Sequence, residues 1–133
     1  RLTYAADSVV AVTLELGGRC VVLTAMRDSG NTLADPVSGA PVLTAEWQSA
    51  ARLLPEEHLT QRDFQSPATL ALRLRAYRPR LIPYRAVGVS GGMLLALPCR
   101  ITVGKRTRLG LAAFSPTALS DRGYQALIGA ERS

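Results

Sequence analysis

The alternation that opens this chain constrains its fold most. Val10, Val12, Leu14 and Leu16 alternate with Thr13 and Glu15, the period-two signature of a half-buried strand. Gly17-Gly18 follows, a two-residue turn suited to positive φ, so residues 3–26 are predicted to form a hairpin. The returning segment, Arg19 to Met26, is more uniformly apolar, as expected of a strand buried on both faces. It runs into Asp28-Ser29-Gly30. A strand with that ending delivers a carboxylate to a fixed point, a hydroxyl residue braces the loop, and glycine lets the backbone turn tightly beneath it.

Two kinds of chemistry compete for Asp28-Ser29-Gly30. These are common turn residues, and an ordinary turn accounts for the tripeptide alone. Asp28, Asn31 and Asp35 also offer oxygens to calcium, but the spacing of a calcium loop with its later glutamate is missing. Aspartic-protease chemistry needs two such carboxylates, close enough that both cannot ionise together. One stays protonated to polarise the scissile carbonyl while the other deprotonates the attacking water. The chain holds one Asp-Ser-Gly in 133 residues, too few for a two-lobed enzyme with both copies. A symmetric homodimer supplies the second carboxylate most simply.

Beyond the motif, Asp-Pro and Ser-Gly-Ala-Pro make residues 32–42 a loop with a turn, and Leu43 ends a short strand. Thr44 is placed to cap a helix over residues 45–54 that Pro55 stops, with Trp47, Ala50, Ala51 and Leu54 on one core-facing side. Residues 56–66 read as irregular or as a short helix. Strands are expected over 70–76 and 81–87, then over 93–97 and 99–115 with a turn at Gly104-Lys105. The tail, 118–128, holds a short helix or a last strand. Gly88, Ser90, Gly91 and Gly92 lie between two strand patterns. They read either as a plain hairpin tip or as a lid that opens readily over a peptide cleft. Many short strands and few helices predict a mostly β, closed or semi-closed barrel in one domain, 1–133, with one or two short helices.

Composition narrows the chemistry. Cys20 and Cys99 sit in apolar strand-like stretches and read as buried free thiols. His58 is the single histidine, in a polar loop, so histidine triads and zinc sites have little support, and no metal or cofactor is expected. The formal charge is +6, almost all of the cationic side chains being arginine. Arg73, Arg75, Arg78, Arg80 and Arg85 crowd one segment, as a solvated face, as a surface for anionic lipid, or, third, for nucleic acid. With few aromatic residues and no nucleic-acid motif, no nucleic-acid partner is expected.

The run Asp28-Ser29-Gly30-Asn31-Thr32-Leu33-Ala34-Asp35-Pro36-Val37-Ser38-Gly39-Ala40-Pro41-Val42 resembles the sporulation sigma-E factor-processing peptidase family. A second block, Leu81-Ile82-Pro83-Tyr84-Arg85-Ala86-Val87-Gly88 with Gly92-Met93-Leu94-Leu95-Ala96, is similar to the same family. So is a weaker third, Leu119-Ser120 with Gly123-Tyr124-Gln125-Ala126-Leu127-Ile128. The resemblance implies a retropepsin-like barrel, like that of the retroviral proteases, with one catalytic Asp28 per subunit of a homodimer. Ser29 and Gly30 would support the loop, and Asn31 stands where those proteases usually carry Ala. It further implies an endopeptidase that removes the pro-segment of a sigma-factor precursor at the cytoplasmic face of the membrane of a sporulating bacterium. The family's members begin with membrane-spanning helices. This chain starts at Arg1 and has no apolar run near the ~20 residues of a span, so a soluble catalytic part of a tethered protein is expected. The rival is a catalytically silent domain that keeps the barrel and binds the precursor or a membrane partner through its arginines.

Overall fold

The computed structural model describes residues 9–28, 33–86 and 89–129. Strand β1 (Val9–Leu16) pairs antiparallel with β2 (Arg19–Arg27), Leu16 facing Arg19. Gly17 and Gly18 turn between them with φ of +59° and +82°. Side chains tolerate that pair of left-handed positions poorly, which is why two glycines close this hairpin. Val12 and Leu14 of β1 point inward with Val21, Leu23 and Ala25 of β2.

β2 corrects one expectation. It is buried on one face only, since Cys20, Val22 and Thr24 are exposed. Its uniform apolarity reflects the strand preference of β-branched residues rather than two-sided burial. Cys20 therefore lies outside the core, whereas Cys99 is buried as expected.

Next come β3 (Val42–Glu46), helices α1 (Trp47–Leu53), α2 (Gln61–Phe64) and α3 (Pro67–Arg73), and 3-10 turns at Pro55–Glu57 and Arg75–Tyr77. Strands β4 (Arg80–Ala86), β5 (Val89–Val103), β6 (Arg106–Ser115) and β7 (Ala126–Ile128) complete the chain. The sheet runs β1-β2-β7-β3-β6-β5, and β5 returns to β1 from Val12 opposite Val103 to Glu15 opposite Arg100. Those six strands form a closed barrel; β4 flanks β5 outside the ring. The molecule is thus mostly β with few short helices, as the strand pattern predicted.

β5 is one long strand where two were expected, and its two faces serve two cores. Leu95, Leu97, Cys99 and Ile101 join the main core. Leu94 and Ala96 pack on the other side with Val42, Ile82 and Ala113, and Leu33 rests against this second cluster.

The helices correct the sequence reading twice. Thr44 and Ala45 lie in β3 because pairing with β6 and β7 outweighs the capping signal. Glu46 takes the N-cap position of α1 without a side-chain cap, its carboxylate accepting instead from the Leu119 N–H at 2.8 Å. Residues 70–76 are helix and turn, not strand. Leu70, Leu72 and Leu74 mimic period two, but Leu70 and Leu74 are buried one helical turn apart while Leu72 is 68% exposed. Pro67 at the first turn starts that helix. Thr60 and Asp63 form a capping box for α2, Thr60 N–H donating to the Asp63 carboxylate at 2.9 Å. Phe64 lies 6.3 Å from the Trp47 ring and 6.1 Å, edge-on, from Phe114, so Trp47 serves the core.

Candidate active site

Asp28 follows directly on β2, and the backbone there is held from the far end of the chain. β7 lies between β2 and β3, parallel to β2, with Ala25 opposite Ala126 and Arg27 opposite Ile128. The Asp28 N–H donates to the Ile128 carbonyl at 2.7 Å. Four residues earlier, on β2, Gln125 N–H donates to the Thr24 carbonyl at 2.8 Å, and the Gln125 side-chain oxygen accepts from Thr24 N–H at 3.0 Å. The Gln125 carbonyl accepts from Glu46 N–H at 3.0 Å, which fixes β7 to the end of β3. Asp28 itself is exposed. A carboxylate in this setting has a rigid backbone behind it and water in front, which suits a group that must handle a proton at a set position. Ser29, Gly30 and Asn31 lie outside the described residues.

The chain returning from that loop is organised by Asp35. Its carboxylate accepts from Val37 N–H at 3.1 Å and from the Ser38 hydroxyl at 2.8 Å. Gly39, at φ +76°, donates its N–H to the Asp35 carbonyl at 2.7 Å, and Asp35 N–H donates to Ala40 at 2.9 Å. Arg80 Nη2 approaches the same carboxylate at 3.9 Å. The Ser38 and Val37 hydrogen bonds, with a smaller effect from Arg80, hold the carboxyl below its ordinary value despite burial. Asp35 thus serves a protein turn, and no cluster suited to a metal occurs among the described residues. The turn expected within residues 32–42 is thus present, built around Asp35-Pro36-Val37-Ser38-Gly39. The signal was there: an Asx turn, a proline with fixed φ, a hydroxyl and a glycine in order.

Gly88 also falls outside the described residues, and Ser90, Gly91 and Gly92 belong to β5. Gly92 faces Tyr84 across the β4–β5 pair. A Cβ at Gly92 would stand 3.1 Å from the Tyr84 ring, so this glycine makes room for an aromatic side chain rather than for a turn. Pro83, Tyr84, Gly91, Gly92 and Met93 line an open depression on this hairpin.

The arginine segment is less of a patch than its sequence suggests. Arg73 pairs with Asp63 at 3.4 Å and Glu57 at 3.9 Å and donates to the Glu57 carbonyl. Arg80 pairs with Asp35, and Arg75 reaches the Leu72 carbonyl at 3.4 Å. His58 is an exposed residue at φ +52° closing the first 3-10 turn.

A closed β-barrel that presents one carboxylate at the end of an interior-lining strand defines the domain class. The family model of sporulation factor SpoIIGA matches residues 3–131, and the chain belongs to that family of sporulation sigma-factor-processing peptidases. It is 33% identical over 95 residues to a protein of Bacillus thuringiensis subsp. kurstaki named "Putative sporulation sigma factor-processing peptidase", covering 68% of this chain and 58% of that one. It is 30% identical over 95 residues to the sporulation sigma-E factor-processing peptidase of Priestia megaterium, covering 68% of this chain and 31% of that one. The chain thus spans less than two thirds of either relative. No solved structure matches it. The resemblance read from the three sequence blocks holds. No helix among the described residues is long and apolar enough to cross a membrane.

Proposed function

We propose that this domain is an aspartic endopeptidase whose active site forms across a homodimer, one Asp28 from each subunit. The observation that carries the reading is the Asp28 N–H bonded to Ile128 at 2.7 Å, beside a strand wedged between β2 and β3. That wedge fixes where the carboxylate leaves the barrel. Two such carboxylates brought together share one proton, since repulsion raises the affinity of one of them for it. The ionised carboxylate takes a proton from a water held between them. The protonated one donates to the scissile carbonyl, and a gem-diol forms without a covalent acyl-enzyme. Ser29 braces the loop through its hydroxyl and Gly30 permits the turn. The barrel order, with a two-stranded β4–β5 hairpin projecting beside it, supports the likeness to the retroviral proteases, and the tip with Gly88, Ser90, Gly91 and Gly92 is then the flap. The substrate is a sigma-factor precursor, by analogy with the named activity of the relatives, and the whole protein works at the membrane to which the family is tethered.

Asp28→Asn tests this. The amide keeps the shape but takes no proton from water, so cleavage of a sigma-factor precursor stops while circular dichroism and the thermal midpoint stay unchanged. Adding excess Asp28→Ala to wild type depresses activity through heterodimers, and specific activity falls on dilution. A folded Asp28→Asn that cleaves at the wild-type rate would refute the assignment. Precursor binding without any cleavage by wild type would favour the silent interaction domain.

A further inference from the structure

β6 has a strand on one edge from Arg106 to Phe114 and on the other for only half its length. β5 pairs with it from Phe114, opposite Leu95, to Arg106, opposite Val103. On the far edge β3 reaches only from Ser115 to Leu111. Residues 106–110 therefore present main-chain groups on that edge that no strand among the described residues takes up. Arg106, Thr107, Arg108 and Leu109 are all exposed, Leu109 at 76%, so the stretch stands open to solvent. An open edge is a template for one more strand, whichever chain provides it.

The side chains select that strand. Alternation puts Arg106 and Arg108 on one face of β6. Thr107 and Leu109 lie on the other, Thr107 meeting the Thr102 hydroxyl at 2.9 Å. Lys105, in the preceding turn, adds a third exposed cation. A Cβ at Gly110 would stand 2.6 Å from the Arg108 guanidinium and 3.1 Å from Ile101, so this glycine leaves the room in which that guanidinium lies along the strand. Ile101, Val103, Lys105, Arg106, Thr107 and Arg108 line a depression of about 440 Å³ beside the edge. The charge is not balanced locally, because no Asp or Glu occurs between Asp63 and Asp121. Arg73, Arg80 and Arg100 of that stretch pair with acids at its border or beyond it, whereas Lys105 and Arg106 have no ion-pair partner among the described residues.

A second copy of this chain is a poor occupant. Two such edges laid together bring arginines against arginines, and like charges directly opposite destabilise a strand pair. A bilayer or a nucleic acid answers the charge but offers no main-chain ladder. An extended acidic polypeptide answers both. We infer that the edge of β6 at residues 106–110 binds an extended acidic segment of a partner protein as an added strand. Its carboxylates fall at alternate positions beside Arg106 and Arg108, and an apolar residue falls beside Leu109. The cations then exclude self-pairing and choose the partner by the same charge. This stands apart from the reading of Asp28, since the edge holds a partner and does no chemistry on it.

The probe is a short proline-free peptide alternating glutamate with valine, followed by fluorescence anisotropy with the wild-type domain. It binds, added salt weakens it, and the lysine–valine counterpart does not bind. At saturation, amides within 106–110 exchange more slowly. Two further peptides carry N-methyl groups on alternate amides in opposite phases. Only one phase turns its N–H groups toward β6, so one peptide binds as the parent does and the other loses binding. Lys105→Glu combined with Arg106→Glu, both at exposed positions, weakens binding by about tenfold or more with the thermal midpoint unchanged. Equal binding by the two methylated peptides would overturn the inference and leave attraction of charge alone. So would unchanged exchange over 106–110 at saturation, or a lysine counterpart that binds as tightly as the parent. Failure of the parent peptide to bind would overturn it as well, and salt-sensitive binding to phosphatidylglycerol vesicles in its place would assign the hairpin to a lipid surface.

Discussion

Ala25, Ala126 and Ala45 stand side by side on β2, β7 and β3, and Phe114 of β6 continues the row. All three alanines are fully buried, and Phe114 is 1% exposed. The small residues leave the barrel interior to the rings of Phe114 and Phe64, 6.1 Å apart. Replacement of Ala126 by Leu adds three carbons where packing is already complete. Overpacking of this kind costs about 1–3 kcal/mol. A chain of 133 residues has an unfolding entropy of about 0.28 kcal/mol/K near its midpoint, so the loss corresponds to a fall of about 4–11 °C. β7 has only three residues and must shift as a unit, taking the Ile128 carbonyl and the Asp28 amide with it. Calorimetry on Ala126→Leu measures the first effect, and exchange at the Asp28 amide measures the second. Val22→Thr, a near-isosteric change at a position 62% exposed on β2, is the control and stays within about 0.5 kcal/mol. An Ala126→Leu midpoint within about 2 °C of wild type would refute the close-packed row.

Three further outcomes follow from the same geometry. Gly92→Val puts a Cβ 3.1 Å from the Tyr84 ring and displaces it, so tyrosine fluorescence changes and the β4–β5 amides exchange faster, while Gly91→Ala does neither. Cys20, exposed, reacts with a thiol reagent in the native protein, whereas Cys99, buried and pushed up to about 11, reacts only on unfolding. The Asp35 carboxyl lies below its ordinary 3.8 when folded, so its ionisation supports the fold fully above that value and loses this effect as pH falls through the lower folded one. Acid titration of the thermal midpoint therefore shows a steeper decline for wild type than for Asp35→Asn below about pH 4.

Local signals were legible, and long-range ones were not. The β1–β2 hairpin could be read because alternation and Gly17-Gly18 sit next to each other in sequence. The α3 region was misread because Leu70, Leu72 and Leu74 fit a strand as well as a short helix, and only the exposure of Leu72 separates the two. Asp28 was visible as a strand ending, but its support was not. The strand that holds it, Ala126–Ile128, lies about 100 residues away and pairs in parallel, without the turn that announces a hairpin. The third sequence block, the weakest as a resemblance, contains this strand.

That placement also bears on the dyad we propose. β7 separates β2 from β3, so Asp28 follows a strand that is paired on both sides. Asp35, the nearest other carboxylate in sequence, is engaged within its own loop by Ser38 and Val37. In the mechanism we propose, the second acid of the dyad comes from a group outside this barrel. A second Asp28, related by a two-fold axis, meets that need with identical geometry on both sides, and symmetric pairing of one patch with itself is the commonest way soluble chains associate.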